Sequence, residues 1–241
     1  MAGYEAHDHV TMSIRPRFEG FNIGVWTGFK HVMYLMEEAV LEYFRRNFIP
    51  AGSLYQDYGV CLEIAGSEIK LHSGLFMDDE AVVHVQLLDS GGPDLVFSIR
   101  MEVERSDGKR VKIASGKVEA ALLQAGGASP ELRAPLGERL VGSLNRTLRI
   151  YDSIQQFNAL HHHRQGHVFR KRIPYYYCHY SERLQHSGYL RLMEEAVDLF
   201  LEARGISIGS LWRTRGWIPA VTEARLELFQ EVGMEETVHA Q

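Results

Sequence analysis

The chain has 241 residues, enough for one large domain or two of ordinary size, and its 45% hydrophobic and 24% charged content is that of a soluble globular protein. Acidic residues outnumber basic ones by 31 to 26, giving a formal charge of -5, and no block of Lys or Arg occurs, which argues against a nucleic-acid surface. The opening Met1-Ala2-Gly3-Tyr4-Glu5-Ala6-His7-Asp8-His9 lacks the basic and apolar regions of a secretory leader, and no apolar run approaches a membrane span, so a cytoplasmic protein is expected. Cys61 and Cys178 are far apart in the chain and suit reduced thiols better than a disulfide framework.

Residues 12–18 predict a short edge strand, because Pro16 interrupts the ladder donors. After a loop containing Gly20, Gly24 and Gly28, a helix is predicted over 30–47, halted before Pro50 and Gly52. Four strands follow, at 59–72, 81–88, 95–104 and 110–123; their alternation is clear in Val83/Val85/Leu87 and Val111/Ile113. Ser106-Asp107-Gly108-Lys109 predicts a hairpin turn in which Asp-Gly supplies the positive φ angles. The first unit therefore reads as a strand, a helix and four antiparallel strands.

Ala125-Gly126-Gly127-Ala128-Ser129-Pro130 has the turn-forming composition of a linker, and a weakly patterned helix is expected over 146–160. His161, His162, His163 and His167 read as a solvated tract rather than a metal cluster, since no nearby cysteine or His-x-x-x-His helix completes a ligand set. The second unit opens with a strand at 168–177, rich in aromatic and β-branched residues. A polar loop over 179–187 leads into a helix at 188–204, stopped by Gly205, and a strand follows at 216–231.

The two units repeat one another. Leu35-Met36-Glu37-Glu38-Ala39-Val40 recurs as Leu192-Met193-Glu194-Glu195-Ala196-Val197, an offset of 157 positions, and Ile49, Gly52, Ser53, Leu54, Gly59, Leu71 and Met77 match Ile206, Gly209, Ser210, Leu211, Gly216, Leu228 and Met234 at the same offset. A match that keeps one register from helix to strand is read as internal duplication. The domains expected are a first unit over 1–125, a linker over 126–166 and a second unit over 167–241. Gln241 falls opposite His84, so the second unit is expected to lack its last strands, and its open sheet edge to pair with the first unit or with a second chain, making a homodimer a candidate assembly.

A helical advance of about 100° per residue places Tyr189, Ala196, Val197 and Phe200 near Met193, as it places Val32, Ala39, Val40 and Tyr43 near Met36. Glu194 and Glu37 then lie at the stripe's edge, while Glu195 and Glu38 point into solvent. Both pairs also read as ordinary charges favoured early in a helix by its dipole.

A strand, a polar loop and an apolar helix followed by an antiparallel meander resemble a hotdog domain, and two in tandem resemble a double-hotdog acyl thioesterase. The local resemblance is to the 4-hydroxybenzoyl-CoA thioesterase-like branch, with a loop of the form Asp-x-x-Gly-x-x-x-His/Asn-x-x-Tyr and a Glu five residues after the Tyr. Gln185-His186-Ser187-Gly188-Tyr189 followed by Glu194 fits the latter half. The Asp position holds His179 and the Gly position Glu182; in the first unit Asn22, Phe29 and Val32 occupy the Asp, His and Tyr positions.

The resemblance implies an α+β fold of tandem hotdog units and hydrolysis of an acyl-CoA or acyl-carrier-protein thioester at a composite site between them, with no metal and no cofactor. Cleavage of a thioester needs an activated nucleophile and donors for the developing oxyanion, and a loop running into a helix supplies the donors. The catalytic candidates are His186, Glu182, His179 and Glu194, and the substrate-binding candidates are Tyr189, Ser187, Gly188 and Asn22. Competing readings are a backbone-bonded loop histidine for His186, solvated loop residues for His179 and Glu182, and a core aromatic for Tyr189. The alternative function is a non-catalytic hotdog protein that binds acyl-pantetheine or serves in assembly. A hotdog dehydratase is a third reading, but the Asp-x-x-x-x-His pattern expected on its hydration loop is not evident.

Overall fold

The computed structural model describes residues 9–88, 91–125, 132, 136–145, 169–178 and 180–240. In chain order the elements are β1 (His9–Ile14), α1 (Phe29–Asn47), α2 (Ala51–Tyr58), β2 (Val60–Leu71), β3 (Ala81–Leu88), β4 (Leu95–Glu104), β5 (Arg110–Gln124), β6 (Leu140–Val141), β7 (Phe169–Arg172), α3 (His186–Ala203), α4 (Ile208–Arg215), β8 (Glu223–Glu227) and β9 (Thr237–Ala240). They fall into two compact units, Met1–Gly142 with Ala220–Glu227, and Ser143–Pro219 with Leu228–Gln241. No helix among the described residues is long and apolar enough to cross a membrane.

In the first unit the sheet runs β1-β3-β4-β5-β2-β8, antiparallel throughout, with the short β6 added in parallel beside β5. Against it lies α1, whose Val32, Met33, Met36, Ala39, Val40, Tyr43 and Phe44 are all buried at the 3.6-residue period. Each large side chain so removed from water contributes roughly 1.5–3 kcal/mol. Tyr43 meets Phe97 of β4 edge to face, with ring centroids 5.1 Å apart, and this contact ties helix to sheet. Gly116 of β5 is a packing requirement, because a Cβ there would collide with the Glu68 carbonyl of β2 and the Met36 methyl of α1.

The predicted strands 81–88 and 95–104 match β3 and β4 at both ends, and 59–72 and 110–123 differ from β2 and β5 by a residue or less at each end. β1 ends before Pro16, and a single 3₁₀ turn at Phe18–Gly20 replaces the predicted continuation to residue 18. In the turn after β4 only Gly108 takes a positive φ, 76°, so Asp107 does not share that role; its carboxylate instead accepts the Lys109 N–H at 3.1 Å. Neither α2 nor α4 was expected from the sequence. Each ends at a left-handed glycine, Gly59 (φ 63°) and Gly216 (φ 67°), the conformation only glycine adopts without strain.

The predicted strand over 216–231 is confined to β8, since Ile218-Pro219 precedes it and Pro219 cannot donate to a ladder. The edge is paired within the chain, one of the two expected alternatives: Glu223 to Glu227 of β8 lie beside Lys70 to Gly66 of β2.

The second unit holds α3, α4 and the two-stranded ribbon β7-β9. The predicted strand over 168–177 is only four residues long, because Pro174 breaks it and a 3₁₀ turn at Tyr175–Tyr177 follows. Ile173, Leu184 and Leu192 form the buried cluster of this unit, with Tyr177, Tyr189 and Val232 packed against it. Val197 and Phe200 of α3 are 48% and 39% exposed, whereas Val40 and Tyr43 at the matching positions of α1 are fully buried. In the first unit β3, β4 and β5 cover α1, whereas among the described residues the short β9 is their one counterpart in the second unit. The predicted helix at 146–160, most of the linker, and His161, His162, His163 and His167 lie outside the described residues.

Candidate active site

The loop that enters α3 is held by backbone hydrogen bonds that leave little freedom. Tyr177 N–H donates to Pro174 O at 3.0 Å, Gln185 N–H to Tyr177 O at 3.1 Å and Leu184 N–H to Val232 O at 2.7 Å. Met234 N–H reaches Glu182 O at 2.8 Å, and Arg183 bridges to Gly233. Gly188 sits where this loop crosses the first turn of the helix: a side chain would strike Leu184 and come within 3.2 Å of Tyr177 O. A glycine here accommodates the close approach of the loop to the helix start.

The same frame recurs in the first unit at the 157-residue offset. Gly28 N–H donates to Gly20 O at 3.4 Å, Thr27 N–H to Leu75 O at 2.7 Å and Met77 N–H to Val25 O at 3.0 Å, while Trp26 bridges to Phe76. The 3₁₀ turns Phe18–Gly20 and Tyr175–Tyr177 also correspond, as do the first residues of α1 and α3, Phe29 and His186. One backbone design thus presents two different sets of side chains.

In the second unit that design places three sequence candidates, His186, Ser187 and Gly188, at the start of α3. The helix begins at His186, two residues earlier than the pattern suggested, so Gln185 is its N-cap and His186, Ser187 and Gly188 form its first turn. His186 is 3% exposed. The positive dipole end of an 18-residue helix favours negative charge at this point, which is where an oxyanion would be stabilised. Glu182 is exposed on the loop, next to Ser181, whose hydroxyl accepts the Arg183 N–H at 3.2 Å. Tyr180 holds a left-handed φ of 67°, a conformation costly for a residue with a Cβ and one that nothing in the sequence signalled.

Other candidates lie elsewhere. Tyr189 is half-buried against the Ile173/Leu184/Leu192 cluster. Glu194 is half-buried eight residues beyond His186, which is about 12 Å further along the helix axis and away from the first turn. Asn22 belongs to the first unit, where its carboxamide lies 3.1 Å from the position a Cβ on Gly28 would take. His179 lies outside the described residues.

Glu195 does not point freely into solvent. It accepts a 2.8 Å hydrogen bond from Lys171 of β7, and that bond raises the lysine above its ordinary pKa. Burial pushes the Cys178 thiol upward as well, which keeps it protonated and unsuited to nucleophilic attack. No group of three or more His, Cys, Asp or Glu placed to hold a metal occurs among the described residues. A groove of about 630 Å³, lined by Glu68, Lys70, Ser115, Lys117, Glu223 and Arg225, lies on the first unit's sheet and not at the start of α3.

Gln185 was not among the sequence candidates, because the helix was expected to begin at Gly188. The signal that places it is the offset itself, since position 185 matches Gly28, the N-cap of α1.

No protein-family model and no curated protein sequence matches the chain. Solved structures do. A 12:0-ACP thioesterase from Umbellularia californica is similar over 97% of this chain and 86% of its own length, with 12% identity and a TM-score of 0.64. An acyl-ACP thioesterase from Bacteroides thetaiotaomicron is similar over 95% of this chain and 84% of its own, with 11% identity and a TM-score of 0.57. The chain has the α+β hotdog fold of these thioesterase structures.

Proposed function

We propose that the protein hydrolyses an acyl thioester, carried on coenzyme A or on an acyl-carrier protein, at the loop and first turn of α3. The observation that carries this reading is the helix start itself: a buried His186 in the first turn, with the preceding loop packed closely on Gly188, in a chain whose fold matches two acyl-ACP thioesterases along nearly its whole length.

In this reading the thioester carbonyl oxygen lies at the N-terminal end of α3, whose dipole stabilises the negative charge that develops as water adds to the carbonyl carbon. The tetrahedral intermediate then collapses, the C–S bond breaks, and the carrier leaves as a thiol while the acyl group leaves as a carboxylate. His186 orients the water or donates to the carbonyl, and Glu182 accepts the water's proton. Ser187 and Gly188 line the approach. No metal or cofactor enters this scheme, because addition and collapse require only a proton acceptor and oxyanion donors.

The test is turnover of a panel of acyl-CoA and acyl-carrier-protein thioesters of increasing chain length, followed by release of free thiol to a thiol-reactive dye. Release with saturation kinetics on at least one chain length supports the reading. Saturable binding without thiol release supports the alternative, a protein that binds acyl-pantetheine without cleaving it. That alternative is favoured by one observation, the presence of Asn22 and His179 where the resembling family has aspartate.

A further inference from the structure

The first unit's sheet carries a nucleophile beside a base on the face turned away from α1. Gly116 of β5 faces Met36 of α1, so its neighbour Ser115 lies on the opposite face. There Ser115 meets His72, the residue after β2, with Oγ and Nε2 2.8 Å apart. The backbone holds the pair together. Ala114 pairs with Met101 and Lys112 with Glu102, which leaves Ile113 over as a bulge, and the Ile113 carbonyl accepts the N–H groups of His72 and Ser73 at 2.8 and 3.3 Å. The position matching His72 in the repeat holds Phe229, so the shared backbone frame does not itself call for a histidine.

Cations flank the serine. Lys70 on β2 and Arg100 on β4 stand directly opposite Ser115 in its two ladders, so both side chains share its face. Glu223 holds Lys70 at 2.7 Å and Glu102 holds Arg100 at 3.1 Å, which keeps one positive charge on each side of the hydroxyl. Partial desolvation, and then the Lys112 and Lys70 ammonium groups, lower the His72 pKa below its ordinary value, so the imidazole is a free base at neutral pH. Ser115 also lines the groove of about 630 Å³, together with Glu68, Ser98, Lys117 and Arg225.

We propose that Ser115 and His72 form a second site, at which the serine cleaves short-chain carboxylic esters bound in the groove. With His72 protonated on Nδ1, its Nε2 takes the hydroxyl proton as Ser115 Oγ attacks the ester carbonyl carbon. Lys70 and Arg100 stabilise the oxyanion that develops. The C–O bond then breaks, and the alcohol leaves with the proton returned from His72. Water, deprotonated by the same imidazole, adds to the acyl-serine and releases the carboxylic acid and free Ser115. A lining of charged and hydroxyl groups admits a small polar ester, whereas a long alkyl chain would strip those groups of water at a cost. All the residues of this site belong to the first unit, and it does not rest on hydrolysis at α3.

The experiment treats the full chain with an ethyl fluorophosphonate, from which an activated serine displaces fluoride to give a stable phosphonyl ester. Peptide mass spectrometry locates the adduct, and its rate of appearance reads the reactivity of the hydroxyl. Labelling of Ser115 is expected, absent in Ser115→Ala and slowed roughly 10² or more in His72→Gln, the usual scale for loss of a base. Both side chains lie on the sheet surface, His72 exposed and Ser115 half-buried, so the two variants should keep the parent's melting temperature. A dodecyl fluorophosphonate should label Ser115 more slowly than the ethyl probe. No adduct on Ser115, or one that forms as fast in His72→Gln, would overturn the proposal, and equal or faster labelling by the dodecyl probe would overturn its substrate class.

Discussion

Glu68 and Arg225 face one another across the ladder between β2 and β8, and Arg225 is also the residue that follows Glu68 by 157 positions. The whole register obeys this relation: Gly66 pairs with Glu227 while Lys70 pairs with Glu223, and Ser67 pairs with Leu226 while Ile69 pairs with Ala224. A ladder that maps onto itself under the offset has a local two-fold axis between Glu68 and Arg225, the arrangement of a self-complementary strand pair.

The ladder predicts a specific weak point. In an antiparallel edge strand only alternate residues donate inward, so of Arg225→Pro and Leu226→Pro at least one removes a β2–β8 hydrogen bond. That variant should lose about 1 kcal/mol or more and speed amide exchange at Gly66 to Leu71, while its neighbour loses less. Exchange rates unchanged in both variants would mean that β8 contributes nothing to the edge of β2.

Gly59 and Gly216 close α2 and α4 with the same left-handed turn, φ 63° and 67°. Replacing either by alanine should cost about 1–2 kcal/mol, the penalty for a Cβ in that region. Gly52→Ala serves as a control, since nothing lies within 4 Å of a Cβ there and the residue is helical. Urea denaturation of the three variants distinguishes the backbone effect from any general intolerance of substitution.

The strands and the two long helices were legible because their apolar periods are long and uninterrupted, as in Val83/Val85 of β3 and Val32/Met36/Val40 of α1. The short helices were not, because α2 and α4 bury little (Leu54 in α2, no residue in α4), and two turns with so little buried give no stripe to read. Their signal was the terminal glycine that each carries. In the ribbon β7-β9 the predicted strand over 168–177 contains β7 but overran it, and β9 was illegible, since its partner comes from the opposite end of the second unit and neither strand exceeds four residues. At the site, the sequence located the loop and helix of the second unit but set the helix start two residues late, because His186 and Ser187 read as loop residues until Gln185 is seen to cap them. The pairing of His72 with Ser115 left no mark in the sequence at all, since 43 positions separate them until the β2–β5 ladder brings them together.

Lys171 and Glu195 make the second unit's stability sensitive to alkali. The hydrogen bond to Glu195 raises the Lys171 pKa, so the stabilisation is fully present below the ordinary lysine value and is lost as pH rises through the folded value. Both side chains are about one-third exposed, 31% and 35%, so the pair is worth about 0.2–1 kcal/mol. Glu195→Gln should lower stability near neutral pH by that amount, with a correspondingly lower melting temperature, and abolish the pair's share of the loss seen above about pH 10.4, the ordinary lysine value. A variant whose melting curve tracks the parent at both pH values would show that the ion pair carries no stability.

The most direct measurement is kcat for two variants at matched positions, His186→Ala at the start of α3 and Phe29→Ala at the start of α1. Thioester hydrolysis at α3 predicts that His186→Ala lowers kcat by roughly 10² or more on the best acyl thioester, the usual scale for an acid or base group, while the fold remains intact by circular dichroism. Phe29→Ala should act on stability and leave kcat within about threefold of the parent, well below that acid/base scale. A folded His186→Ala protein with unchanged kcat, or equal losses in the two variants, would contradict the account.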